Sequence, residues 1–151
     1  MALPSRLQTI VDVFQSAPRQ FRLEALLDYS RRVPELPARY QDDPGLLEAV
    51  PECQTPFFLA TEVDDDGRVH MFFSAPPESP TVRGFAGLLH DGLDGLPAEE
   101  ILGVPNDFYV GMGLEDVVTP LRLRGMGAIL SRLKRQVSQA ALSDEATSGS
   151  S

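Results

Sequence analysis

The side chains that could do covalent chemistry are few: one thiol, Cys53, and two imidazoles, His70 and His90. A single cysteine cannot close an internal disulfide, and it cannot supply a Cys-rich zinc or iron–sulfur cage within one chain. A free cysteine is by default a small buried hydrophobe. The sequence around this one, Val-Pro-Glu-Cys-Gln-Thr-Pro, argues otherwise. Glu52 and Gln54 are poor residues to bury, and Pro51 and Pro56 bracket the segment. The thiol is expected on a proline-bracketed loop entering a strand, where a rigid scaffold can present it to a partner. A reactive thiol needs stabilised negative charge. Glu52 acts in the opposite direction, so compensating positive charge has to come from elsewhere in the fold.

Either histidine could serve a cysteine nucleophile as base. His70 reads as a solvent-facing strand residue on the face opposite Val69 and Met71. His90 reads as the end of a helix, where an imidazolium suits the dipole. A papain-like cysteine hydrolase is therefore disfavoured. Of the 13 basic residues, Arg122, Arg124, Arg132, Lys134 and Arg135 fall in the last helical segment, and a solvated helix face accounts for most of them. Arg122 is the exception, because a cation in a first turn opposes the dipole and needs another reason to be there. Arg83, followed by the helix-disfavouring Gly84 and Gly87, raises a similar question and suggests close packing. The run Asp64-Asp65-Asp66-Gly67 lacks the ligand spacing of a calcium loop and reads as a hairpin turn.

These residues need elements to hold them. Leu7, Ile10, Val11 and Phe14 recur at helical spacing over 5–15. A second helix is expected over 19–32, with Leu23, Leu26 and Leu27 inward and Pro34 as its stop. Residues 34–56 read as proline-rich loop, with one helical turn at 46–50. Strands are expected at Phe57–Val63 and Arg68–Ser74, joined by Asp66-Gly67. Ser79-Pro80 opens a helix carrying Val82, Phe85 and Leu89, and Gly92 ends it. Pro97 opens a short helix that stops at Gly103. Thr119-Pro120 starts the longest one, with Met126, Ile129, Leu130, Leu133 and Val137 as its inward stripe. Helices and strands are segregated, which predicts an α+β fold with a small antiparallel sheet packed against several helices. One domain is expected over 1–142, followed by a disordered tail over 143–151.

The chain has 151 residues, 42% of them hydrophobic, and a formal charge of −9. That composition is ordinary for a folded domain and unsuited to nucleic acid or anionic membranes, both polyanions. No apolar run reaches the length of a membrane span, and 1–13 lacks a signal-peptide core. A cytoplasmic protein with a reduced thiol is the expectation.

The order of several short motifs resembles the SufE-type sulfur acceptors. They are Cys53-Gln54-Thr55 before a strand, Arg83-Gly84-Phe85 in a helix, and Val118-Thr119-Pro120-Leu121-Arg122 followed by Gly125. The Pro34–Pro37 segment is similar to the family's Leu-Pro-x-Leu region. The likeness runs over roughly residues 5–141. Glu52 departs from the family's usual glycine, and Thr55 from its serine. The resemblance implies an IscU-like α+β fold and a persulfide-forming Cys53, with Arg122 and Arg83 in supporting roles. It implies a SufS-type cysteine desulfurase as partner, stimulated by this chain, and a cluster scaffold as recipient of the sulfur. Pyridoxal phosphate would sit on the desulfurase, and this chain would hold no cofactor or metal. Such a protein is a sulfur carrier doing sulfurtransferase-like persulfide exchange rather than a stand-alone enzyme. The different reading to set beside it is a non-catalytic interaction module with a structural Cys53.

Overall fold

A computed structural model describes residues 3–149; the side chains of residue 116 and of 142–149 lie outside that description. Helices α1 (Ser5–Ser16) and α2 (Arg19–Ser30) follow one another across Ala17 and Pro18 and pack on α4 (Pro80–Leu93) more than on each other. Leu7, Ile10, Val11 and Phe14 are all buried, as their spacing requires. In α2 only Leu26 is fully buried, and Leu23 is exposed, contrary to the inward position expected of it. The reason lies in the partner helix. A Cβ on Gly84 would collide with the Leu26 carbonyl, and one on Gly87 with the Tyr29 carbonyl. The two backbones therefore meet along one narrow line centred on Leu26, and Leu23 falls beside it.

The proline-rich stretch is more ordered than expected. It contains α3 (Ala38–Asp42), a 3₁₀ turn at Pro44–Leu46, and a two-residue strand β1 (Glu48–Ala49). The helical turn expected at 46–50 is thus replaced by strand pairing, Glu48 with Leu59 and Ala49 with Phe58. Propensity over so short a segment is overridden by the free edge of the next strand.

Strands β2 (Phe58–Val63) and β3 (Val69–Ser74) pair antiparallel, giving a three-stranded sheet of order β1-β2-β3. Leu59, Val69, Met71 and Phe73 line its buried face. Against that face lie α4 (Pro80–Leu93) and α6 (Pro120–Gly149), with α5 (Ala98–Leu102) beside α6. Met126, Ile129, Leu130, Leu133 and Val137 of α6 are completely buried, as their periodicity predicts. On the other face of the sheet, the Tyr40 ring of α3 packs at a tilt against Phe72, and Arg39 pairs with Glu62 at 2.7 Å. Two further 3₁₀ turns, Phe108–Met112 and Leu114–Asp116, lead into α6. The α6 backbone continues past Ser143, where the disordered tail is expected to begin, and residues 150–151 lie outside the described ones. The chain is thus an α+β protein with a small antiparallel sheet and several helices.

Candidate functional site

The thiol loop is built from the backbone outward. Val50 donates its N–H to Phe57 O at 2.9 Å and closes the base of the loop. Pro51–Cys53 then forms one 3₁₀ turn, started by the proline and closed by Cys53 N–H to Val50 O at 3.1 Å. Gln54 follows at φ 56°, the one non-glycine residue with a positive φ among those described. This tight reversal turns Cys53 inward, leaving it 7% exposed.

Helix α6 provides the floor. The Cys53 thiol donates to the Gly125 carbonyl, with Sγ and O 3.7 Å apart. A Cβ at position 125 would stand 3.2 Å from Cys53 Cα and 3.5 Å from Sγ. Glycine is what allows the loop to lie this close to the helix. Residues three, four and seven away from Gly125 share its helix face. Arg122 and Arg132 both fall there.

Arg132 is fixed by carboxylates. Its Nη2 donates to both oxygens of Glu52, at 2.8 and 2.9 Å, and its Nη1 to Glu48 Oε2 at 2.8 Å. Glu48 also pairs with Arg135 and accepts from Gln136 Nε2 at 2.9 Å. Arg122 is half-buried, with no carboxylate partner among the described residues. Its backbone N–H donates to Thr119 Oγ1 at 3.3 Å, the cap that the Thr-Pro start implied.

Burial pushes the Cys53 thiol up to about 11; Glu52 adds to the rise, while Arg132 and Arg122 oppose it. The resting group is a protonated, shielded thiol. Glu52 disfavours the thiolate as its position suggested, but Arg132 binds that carboxylate directly.

Two residues singled out from sequence stand elsewhere. Arg83 donates through Nε to Ser30 O at 2.9 Å and through Nη1 to Ala75 O at 2.6 Å. It ties the ends of α2 and β3 to α4 and is not among the charges acting on Cys53. The histidines lie toward the other end of the hairpin, where His70 is paired with Glu62 in the sheet register. His70 meets Asp64 at 2.8 Å and Asp94 at 3.4 Å, and His90 lies 3.6 Å from Asp94. Asp64 also accepts the backbone N–H groups of Asp66 and Arg68, so the aspartate run forms a hairpin turn. Among the described residues no group of histidine, cysteine and carboxylate is placed to hold a metal ion, and no helix is long and apolar enough to cross a membrane.

The residue that sequence reasoning passed over is Arg132, read as part of a solvated helix face. Its spacing of seven from Gly125 was the available signal, but it has meaning only once Gly125 is known to face the thiol.

Comparison with known proteins agrees with this architecture. The chain is 46% identical to the protein in the solution structure of a hypothetical protein from Thermus thermophilus, with a TM-score of 0.82 over 93% of this chain and 99% of that one. It is 45% identical over 139 residues to an uncharacterized SufE-like protein of Mycobacterium tuberculosis, covering 92% of this chain and 96% of that protein. A cysteine desulfuration protein SufE of Plasmodium vivax is 24% identical over 135 residues, covering 87% of this chain and 52% of that protein. The family model described as SufE, Fe-S metabolism associated domain, matches residues 8–137. That span takes in the Cys53 loop, its Gly125 floor and both flanking arginines, and the chain belongs to the SufE family, whose domain is associated with iron–sulfur metabolism.

Proposed function

We propose that this protein accepts sulfur from a cysteine desulfurase of the SufS type on Cys53, stimulates that enzyme, and passes the sulfur on for cluster assembly. The observation that carries this reading is the lone thiol held on a closed loop against Gly125, with the Arg122 and Arg132 charges acting on it.

In the transfer step the Cys53 thiolate attacks the outer sulfur of the desulfurase persulfide. A new S–S bond forms to Cys53 Sγ, and the bond from that sulfur to the desulfurase cysteine breaks, releasing a thiolate. No net electrons are exchanged. Pyridoxal phosphate chemistry belongs to the desulfurase, and the recipient of the sulfur is a cluster scaffold. Two changes must precede attack. The loop has to lift so that Sγ can be reached, and the thiol has to lose its proton. Lifting promotes ionisation, because burial is the first cause of the raised pKa. The arginines then favour the anion, and Arg122 is available for this because no carboxylate among the described residues occupies it. With no second cysteine in the chain, a persulfide on Cys53 has no intramolecular thiol to resolve it into a disulfide.

Mass spectrometry after incubation with a desulfurase, free cysteine and pyridoxal phosphate tests the proposal. One added sulfur atom is expected on the wild type, removable by reductant and absent from Cys53→Ser. Undiminished stimulation of the desulfurase by Cys53→Ser would refute the carrier mechanism and favour an interaction module.

A further inference from the structure

Glu52 stands immediately before the thiol in sequence, and the structure gives it a partner 80 positions away. Among the described residues, two kinds of side-chain hydrogen bond tie the 51–55 tip to α6. One is the long Cys53 Sγ to Gly125 O contact of 3.7 Å, and the other is the fork between Glu52 and Arg132. The thiol contact is weak by type, since S–H is a poor donor. The fork is a charge-assisted pair with two short N–H···O distances, and it holds the residue adjacent to the nucleophile.

Arg132 does not depend on Glu52 for its position. Its Nη1 is bound by Glu48 of strand β1, whose carboxylate is held in turn by Arg135 and Gln136. Its Nε is buried with no hydrogen-bond partner, so the guanidinium is confined without being saturated. The loop end of the pair is the free one. The Glu52 side chain is 48% exposed, against 25% for Arg132. Water, salt or a partner's charges therefore reach it from the carboxylate side.

We propose that Arg132 is a positioning residue that latches the thiol loop shut through Glu52, so that the lifetime of this one ion pair sets how often Cys53 becomes available. A docking partner opens the latch by offering Glu52 a cation or Arg132 an anion. Until then the thiol, or the persulfide it carries, stays shielded from solvent and reductant. The purpose assigned to the latch rests on the sulfur-acceptor reading. Its existence does not, and the test needs no desulfurase, so either can fail alone.

Because Cys53 is the sole thiol, its alkylation by iodoacetamide is read directly from intact mass. Rates are measured for wild type, Glu52→Gln, Arg132→Gln and the double variant. Glu52→Gln is expected to alkylate about three- to fivefold faster than wild type, the scale of a partly exposed ion pair. In the Arg132→Gln background the same change should accelerate alkylation less, because only the charge of Glu52 on the thiol is then removed. An equal acceleration in both backgrounds would overturn the latch, because Glu52 would then act only as a charge on the thiolate. Arg132→Lys keeps the charge and loses the fork, and it replaces Arg132→Gln in the cycle if that variant does not fold. Hydrogen exchange is independent of thiol acidity. The Cys53 and Gln54 amides should exchange faster in Glu52→Gln, and unchanged exchange there would also overturn the proposal.

Discussion

Cys53 ionises only at about 11 because burial and Glu52 together outweigh two arginines. The free protein should therefore react with iodoacetamide through a trace of thiolate. Its alkylation rate is expected to climb about tenfold per pH unit between roughly pH 7 and 9, with no plateau there. A rate that levels off around pH 9, the ordinary thiol value, would mean that the loop spends most of its time open. The same shift has a thermodynamic side. The folded chain holds the thiol proton more tightly than the unfolded chain does, so this group's contribution to stability is intact below the ordinary value of 9.0 and lost as pH rises towards 11. Arg122 is the opposite case: it sits where the helix dipole disfavours it, and its charge acts on a thiol that the proposed transfer needs as an anion.

At the scale of elements, the meeting of α6 with the thiol loop is the contact that keeps Cys53 buried. Gly125→Ala would place a methyl 3.2 Å from Cys53 Cα, so one of the two backbones must give. Alanine also favours the helix by about 1 kcal/mol relative to glycine. The expected result is a protein within about 1 kcal/mol of wild type in denaturant unfolding, with Cys53 alkylated several-fold faster. Unchanged alkylation would mean that the helix yields rather than the loop. Much of this element layout was legible beforehand. The stripe from Met126 to Val137, the Thr119 cap and the hairpin turn all rest on spacings within a few residues. Strand β1 was not legible, because its two residues have no pattern of their own and exist by pairing with β2. The burial of Cys53 was hidden for a related reason. Polar neighbours place the thiol on a loop but leave open whether it is exposed or tucked; a left-handed Gln54 and a glycine 72 residues away fold it under the tip. The fork from Arg132 to Glu52 spans a similar distance and left no local trace.

Across the whole molecule, one charged cluster joins the sheet to the helical layer far from the thiol. His70 lies between Asp64 of the hairpin turn and Asp94 after α4, with His90 also beside Asp94. Asp94 further accepts the Met71 backbone N–H at 2.9 Å. The hydrogen bond to Asp64 raises the His70 pKa above 6.5, with Asp94 adding to the effect. The stabilisation from this bridge is therefore complete below 6.5 and fades as pH rises through the folded value. His70→Gln should cost more stability at about pH 5.5 than at about pH 8.5. The difference should be about 0.5 kcal/mol, since His70 and Asp64 are more than a third exposed and solvent screens them. Denaturant unfolding at the two pH values measures it, and equal costs would show that the imidazole acts there by packing alone.

The left-handed backbone at Gln54 has a consequence for the timing of sulfur transfer. A glutamine at φ 56° carries a conformational penalty of about 1 kcal/mol that a glycine there would not. The closed loop thus holds a small backbone strain alongside the thiol contact and the ion pair that keep it in place. If opening lets Gln54 leave the left-handed region, that strain is released and offsets part of the cost of uncovering the cysteine.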